Sequence, residues 1–206
     1  DQAMPGVRTA NLTEALRSGA EIKTVLVRRG FESGELRQAE KQGAAMYCAE
    51  DALFCLASEV ESPQNVIFSC MQPQWDAAAL DDREQVLLLD GLQDPGNLGT
   101  ILRTADALEV PVVLLDGCAD AYNPKTVRAT MGAVFRTQPV RMTRAVAVQS
   151  CRAAGIPLLA TAMSADAVDL RKKNLSGCAV VIGSEGRGVS AELFAAADGK
   201  IIIPMN

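Results

Sequence analysis

The chain has 206 residues, 49% of them apolar and 22% charged, with a formal net charge of −5. That suffices for one domain or two small ones with a real core. No apolar run approaches the about 18 residues of a membrane span, and no basic-then-apolar leader opens the chain. Six cysteines without a CxxC pair, and no histidine at all, exclude the usual zinc spacings. No metal is expected, and the thiols read as reduced in a cytoplasmic protein.

Residues 1–70 read as a small α/β module. A helix over Leu12–Leu16 runs out near Ser18-Gly19, and a strand follows at Ile22–Arg28. A helix at 35–42, an alternating piece at 46–48, a helix at 50–56 and a strand at 65–70 complete it. Residues 71–82 keep neither period and hold proline and acids, the composition of a linker. Residues 83–206 alternate strand and helix, with strands near 85–90, 111–116, 138–142, 157–161, 179–183 and 200–204. Val180-Val181-Ile182 and Ile201-Ile202-Ile203 are continuously apolar, as parallel strands covered on both faces should be. The class is α/β with a parallel sheet. Its default occupant is a nucleotide, yet neither GxGxxG nor GxxxxGK[ST] stands where it would be needed.

Three stretches carry chemistry. The first is Asp94-Pro95-Gly96-Asn97-Leu98-Gly99, which opens a helix after an apolar strand. At about 100° per residue, Leu98, Ile101, Leu102, Ala105 and Leu108 share one face. Gly99, Arg103 and Thr104 point away from it, so Arg103 projects one turn beyond a glycine that leaves space above it. A lone arginine there would be a solvated one. The second is Gly183-Ser184-Glu185-Gly186-Arg187-Gly188, a strand-to-helix turn with three glycines. Glycine lets backbone approach a ligand closely, and N–H groups exposed in such a turn can serve a ligand oxygen. The third is basic: Arg28 and Arg29, then Lys125, Arg128, Arg136, Arg141 and Arg144, against an acidic whole. Net charge says little about a local patch. Arg171-Lys172-Lys173 reads as a solvated face.

Asp94 to Ala107 resembles the first motif of the SpoU-type RNA 2′-O-ribose methyltransferases of the SPOUT superfamily. Asp120 to Phe135 is similar to the family's middle segment, Val181 to Ser190 to its second motif, and Ile202-Ile203-Pro204-Met205 to the start of its third. These segments stand in the family's order over 84–206. Residues 1–70 resemble, more weakly, the substrate-binding domain of the kind found in ribosomal protein L30e.

The resemblance implies a 71–82 linker between an RNA-binding domain (1–70) and a parallel-sheet SPOUT domain (83–206) whose C-terminal segment threads into a trefoil knot. The family's third motif runs on past Asn206, so this domain is expected to be C-terminally incomplete. By resemblance S-adenosylmethionine is the cofactor, held by Thr161, Ala162, Gly183, Glu185, Gly188, Ile203, Pro204 and Met205. Asn97, Arg103 and Glu185 match catalytic positions, and Lys125 and Arg128 are assigned to RNA. Ser184 stands where the family often has Asn. The implied reaction is 2′-O-methylation of ribose in RNA, with rRNA favoured over tRNA because an extra N-terminal module accompanies enzymes of large rRNA. The family also implies a homodimer. The alternative is a non-catalytic RNA-binding or ribosome-assembly protein that keeps the fold.

Overall fold

The computed structural model describes residues 3–6, 9–58, 63–72, 85–137 and 139–204, in two compact units. One unit holds the N-terminal sheet together with Pro95–Arg103 and Asp120–Thr137; the other holds a seven-stranded sheet.

The first unit runs β1 (Ala3–Gly6), α1 (Thr9–Arg17), β2 (Ile22–Arg28), α2 (Gly34–Lys41), β3 (Ala45–Ala49), α3 (Asp51–Leu56) and β4 (Val66–Met71). Its sheet order is β1-β4-β2-β3, with β4 antiparallel to β1 and β2, and β3 parallel to β2. Ser33 caps α2 by accepting from the Leu36 N–H, which satisfies one of the donors a helix start leaves bare. Ile22, Val25, Phe68 and Cys70 of the sheet pack on Leu12, Leu16, Leu36 and Ala39 of the helices. The first 70 residues do not supply this core alone. Val127, Val134 and Phe135 enter it from the chain's middle, with the Phe135 and Phe68 ring centroids 6.3 Å apart.

β1 is an element the sequence pattern does not announce. Ala-Met-Pro-Gly is poor strand material, but at a sheet edge the missing N–H of Pro5 costs little. Of the expected linker, residues 73–82 lie outside the described residues.

The second unit contains β5 (Val86–Asp90), the latter part of α4 (Pro95–Ala107), β6 (Val112–Leu114), β7 (Val140–Arg141), α6 (Arg144–Ala153), β8 (Leu158–Thr161), β9 (Val168–Asp169), β10 (Ala179–Gly183), α7 (Ala191–Ala196) and β11 (Gly199–Ile202). All its pairings are parallel, in the order β7-β6-β5-β10-β8-β11-β9. The chain builds outward from β5 on one side, crosses to β8 and β9, and then inserts β10 and β11 between strands already laid down. Val86, Leu88, Val113, Leu158, Ala179 and Val181 are buried together in its core. Of the C-terminal segment expected to thread into a knot, Met205 and Asn206 lie outside the described residues.

Two expectations are corrected here. Leu108 does not share the buried face of α4: the helix ends at Ala107, and Leu108 is 68% exposed beside Glu109, whose φ is +55°. The last strand stops at Ile202, so Ile203 and Pro204 follow it rather than belong to it. Arg171 is exposed as expected, but it grips Asp169 at 2.7 Å and holds that carboxyl down to about 2.

Candidate active site

In the second unit the expected cofactor residues fall at the carboxyl ends of neighbouring strands. Gly183 closes β10 opposite Asp90, which closes β5. Thr161 closes β8 opposite Ile201 of β11, and Ile203 and Pro204 continue from that strand, both exposed. In a parallel sheet the crevice beyond the strand ends, where the order of connection reverses, is the usual ligand position. The Thr161 hydroxyl donates to the Val181 carbonyl (2.9 Å), and the Ala162 N–H donates to the Ile201 carbonyl (2.9 Å). Both groups therefore brace the strand ends from within. Met205 lies outside the described residues.

The glycine turn after β10 bonds to itself. Ser184 and Gly188 exchange backbone hydrogen bonds of 3.1 and 2.9 Å, and the Arg187 N–H donates to Ser184 Oγ at 3.2 Å. The N–H groups of Ser184, Arg187 and Gly188 are thus bonded within the turn. Gly183 is needed because the turn folds back over it, and a Cβ there would run into the Gly188 carbonyl. Gly188 sits at φ +68°, open to L residues only at a cost. Above Gly186 and Gly188 there is open space, and Glu185 and Arg187 are exposed. The open space over the turn lies at the carboxyl end of β10, with β8 between it and the strand that leads to Ile203.

Sequence reasoning missed Asp90, which is only 2% exposed. Its Oδ1 accepts from Arg144 Nε and its Oδ2 from the Ser190 N–H, each at 2.7 Å. Arg144 also donates to the Asp116 carbonyl at 2.8 Å, and its own N–H donates to Asp116 Oδ2. The Asp90 bond pushes the guanidinium above its ordinary pKa. An acid ending an otherwise apolar strand is the signal that could have flagged it.

In the first unit the motif-one helix meets the middle segment. Asn123 caps α5 (Pro124–Ala129), accepting from the Lys125 N–H at 2.9 Å, with Pro124 at the first helical position. Thr126 and Val127 are fully buried, and the Thr126 hydroxyl donates to the Asp120 carbonyl. The space above Gly99 is not open, contrary to expectation. A Cβ there would collide with that of Ala129 and lie 2.7 Å from the Thr126 carbonyl oxygen, because α5 fills it. Gly99 thus sets the helix of Asn97 and Arg103 directly against the helix of Lys125 and Arg128. Asn97, Arg103 and Lys125 are exposed, and Arg128 is half-buried.

Other members of the basic clusters are engaged within the protein. Arg28 meets Asp51 at 3.1 Å and lies over the Phe54 ring, Arg29 pairs with Glu50, Arg136 with Glu14, and Arg141 donates to the Ala119 carbonyl. Among the described residues no group of three or more His, Cys, Asp or Glu could hold a metal. Nor is any of their helices long and apolar enough to cross a membrane.

Residues 84–206, more than half of the chain, match the model of the SpoU rRNA Methylase family. The chain belongs to that family. Among its SpoU relatives, the 23S rRNA (guanosine(2553)-2'-O)-methyltransferase RlmP of Bacillus subtilis is 34% identical over 193 residues, 93% of this chain and 75% of that protein. The 23S rRNA (uridine(2479)-2'-O)-methyltransferase of Streptomyces viridochromogenes is 31% identical, over 97% of this chain and 73% of that one. An AdoMet-bound rRNA methyltransferase from Sinorhizobium meliloti superposes with a TM-score of 0.88 at 27% identity, covering 99% of this chain and 79% of the other. The SpoU match spans the glycine turn, both helices α4 and α5, and the residues after β11.

Proposed function

We propose that this chain is an S-adenosylmethionine-dependent RNA ribose 2′-O-methyltransferase, acting on ribosomal RNA in the cytoplasm as a homodimer. The observation that carries the reading is the gathering of Thr161, Ala162, Gly183, Gly188, Ile203 and Pro204 at the ends of the adjacent strands β10, β8 and β11. The relatives named for rRNA 2′-O-methylation support the substrate.

The cofactor's sulfonium makes methyl transfer favourable by itself, which leaves binding, alignment and proton handling to the protein. Gly183, Glu185, Gly188, Ile203, Pro204 and Met205 hold the cofactor, with Thr161 and Ala162 bracing the strand end beneath. A guanidinium offers hydrogen-bond donors and no acceptor, so Arg103 is assigned to binding and not to proton removal. It grips the phosphate beside the target ribose through two N–H groups and so orients the 2′-OH. We assign Asn97, exposed on α4 about 120° around the helix from Arg103, and Glu185 to catalysis as well. The chain has no histidine, so the proton leaves to an oxygen base: phosphate, carboxylate or water.

Lys125 and Arg128 hold the RNA backbone. Their helix is built into the core of the N-terminal unit through Val127, so that unit and the RNA-contacting helix move as one body.

The test is incubation with labelled S-adenosylmethionine and separated rRNA and tRNA pools, followed by nucleoside analysis. Label is expected in a 2′-O-methylnucleoside from rRNA. Label in a base removes the ribose assignment, and RNA binding without any transfer favours the non-catalytic alternative. Arg103→Lys should lower kcat about 100-fold with cofactor affinity unchanged, since a point charge cannot hold the planar two-bond geometry. Activity near that of the parent would remove the bidentate role. Sedimentation should find a dimer, and a stable monomer would count against that part of the reading.

A further inference from the structure

Asp90 is a charged side chain placed where the pattern of β5 calls for an apolar one. Burying a carboxylate is unfavourable unless it is paired and fully hydrogen-bonded, and even then the pair adds little stability over a well-packed apolar residue. What such a pair does give is fixed geometry. Here the geometry concerns the glycine turn. Ser184 and Gly188 clamp the turn's mouth, and two residues later the Ser190 N–H is anchored on Asp90 Oδ2 at 2.7 Å. Arg144 occupies Oδ1 and is itself braced on Asp116, so the carboxylate cannot swing away. The turn is thereby held at its exit to the end of β5, the strand that pairs with its entry.

We propose that Asp90 is a positioning residue for the cofactor turn, acting through the Ser190 backbone N–H, with Arg144 as the partner that orients it. This rests on the reading of Gly183–Gly188 as the cofactor turn.

Three variants separate positioning from mere core filling. Asp90→Asn keeps the shape, but its NH2 must face a donor, either the Ser190 N–H or Arg144. Pairing Asp90→Asn with Arg144→Gln restores complementarity, because the Asn oxygen can accept from Ser190 while its NH2 donates to the Gln carbonyl. Ser190→Pro removes the N–H together with a hydroxyl that makes no hydrogen bond. Ser190 has φ −60° and ψ 150°, which proline adopts, and the Asp90–Arg144 pair stays in place.

Calorimetry with S-adenosylmethionine should show Asp90→Asn and Ser190→Pro each binding about tenfold more weakly. The amides of Gly188 and Phe194, bonded to the Ser184 and Ser190 carbonyls, should exchange with deuterium faster by a similar factor, as expected of a locally loosened segment. At saturating cofactor kcat should stay within about twofold, the signature of a binding effect. The Asn–Gln double variant should recover both affinity and protection to within about threefold. Unchanged affinity and exchange in Asp90→Asn and Ser190→Pro, or a double variant no better than Asp90→Asn, would overturn the proposal. If the unaltered protein binds no S-adenosylmethionine, the functional reading falls. The exchange measurement still decides whether Asp90 positions the turn.

Discussion

At Gly183 a side chain would run into the Gly188 carbonyl and the Val189 nitrogen, because the turn folds back over that position. At Gly186, three residues on, a Cβ would meet nothing within 4 Å, and the backbone there is not left-handed. Both are glycines in the same motif, and only one is sterically required. Gly183→Ala should weaken S-adenosylmethionine binding about 10- to 100-fold, matching roughly 1–3 kcal/mol of overpacking strain. Gly186→Ala should leave it within about twofold, because nothing is displaced. Isothermal titration of the two variants side by side checks this, and equal losses would mean that the ligand, not the turn, needs Gly186. The sequence marks all three glycines alike. Which one is indispensable depends on where the turn lies on itself, and that is a contact, not a pattern.

At the scale of elements, α4 and α5 are each readable from local chemistry. Pro95 opens one, and Asn123-Pro124 caps and opens the other. Their meeting is not readable, because it turns on the absent side chain of Gly99 facing Ala129 and the Thr126 carbonyl. Gly99→Ala should push α5 away from α4 and destabilise the fold by about 1–3 kcal/mol, measured by urea unfolding. Methyl transfer should fall further than stability alone explains, since Lys125 and Arg128 move relative to Arg103. A variant as stable and as active as the parent would show that the helices can part without consequence. The elements missed altogether, β1 and β9, are edge strands of four and two residues. They are strands only because β4 and β11 offer them a partner.

For the whole molecule, stability in alkali follows from buried thiols. Burial pushes Cys70 from 9.0 up to about 12, and it also raises Cys151 and Cys118. In the unfolded chain Cys70 ionises near its ordinary value, so between about pH 9 and pH 12 the native state holds a proton that the unfolded state has lost. Stability should be level below pH 9 and then fall by up to about 1.4 kcal/mol per pH unit from this thiol alone. Urea midpoints at pH 8, 9 and 10 check the slope, and Cys70→Ala should flatten it while lowering stability throughout. A parent whose midpoint does not move from pH 9 to 10 would contradict the burial argument.

The sequence by itself determined the succession of strands and helices apart from β1 and β9, and the parallel-sheet class, because periodicity, helix caps and glycine turns are encoded within a few neighbouring positions; its resemblance to a family marked the motif residues. Only the tertiary structure decided that β10 enters between β5 and β8, and that Val127, Val134 and Phe135 complete the N-terminal core. It alone joined Asp90 to Arg144 and Ser190, 54 and 100 residues away. Such partnerships are settled by which surfaces bury and pair best once the chain has collapsed, and that competition leaves no local trace in the order of residues.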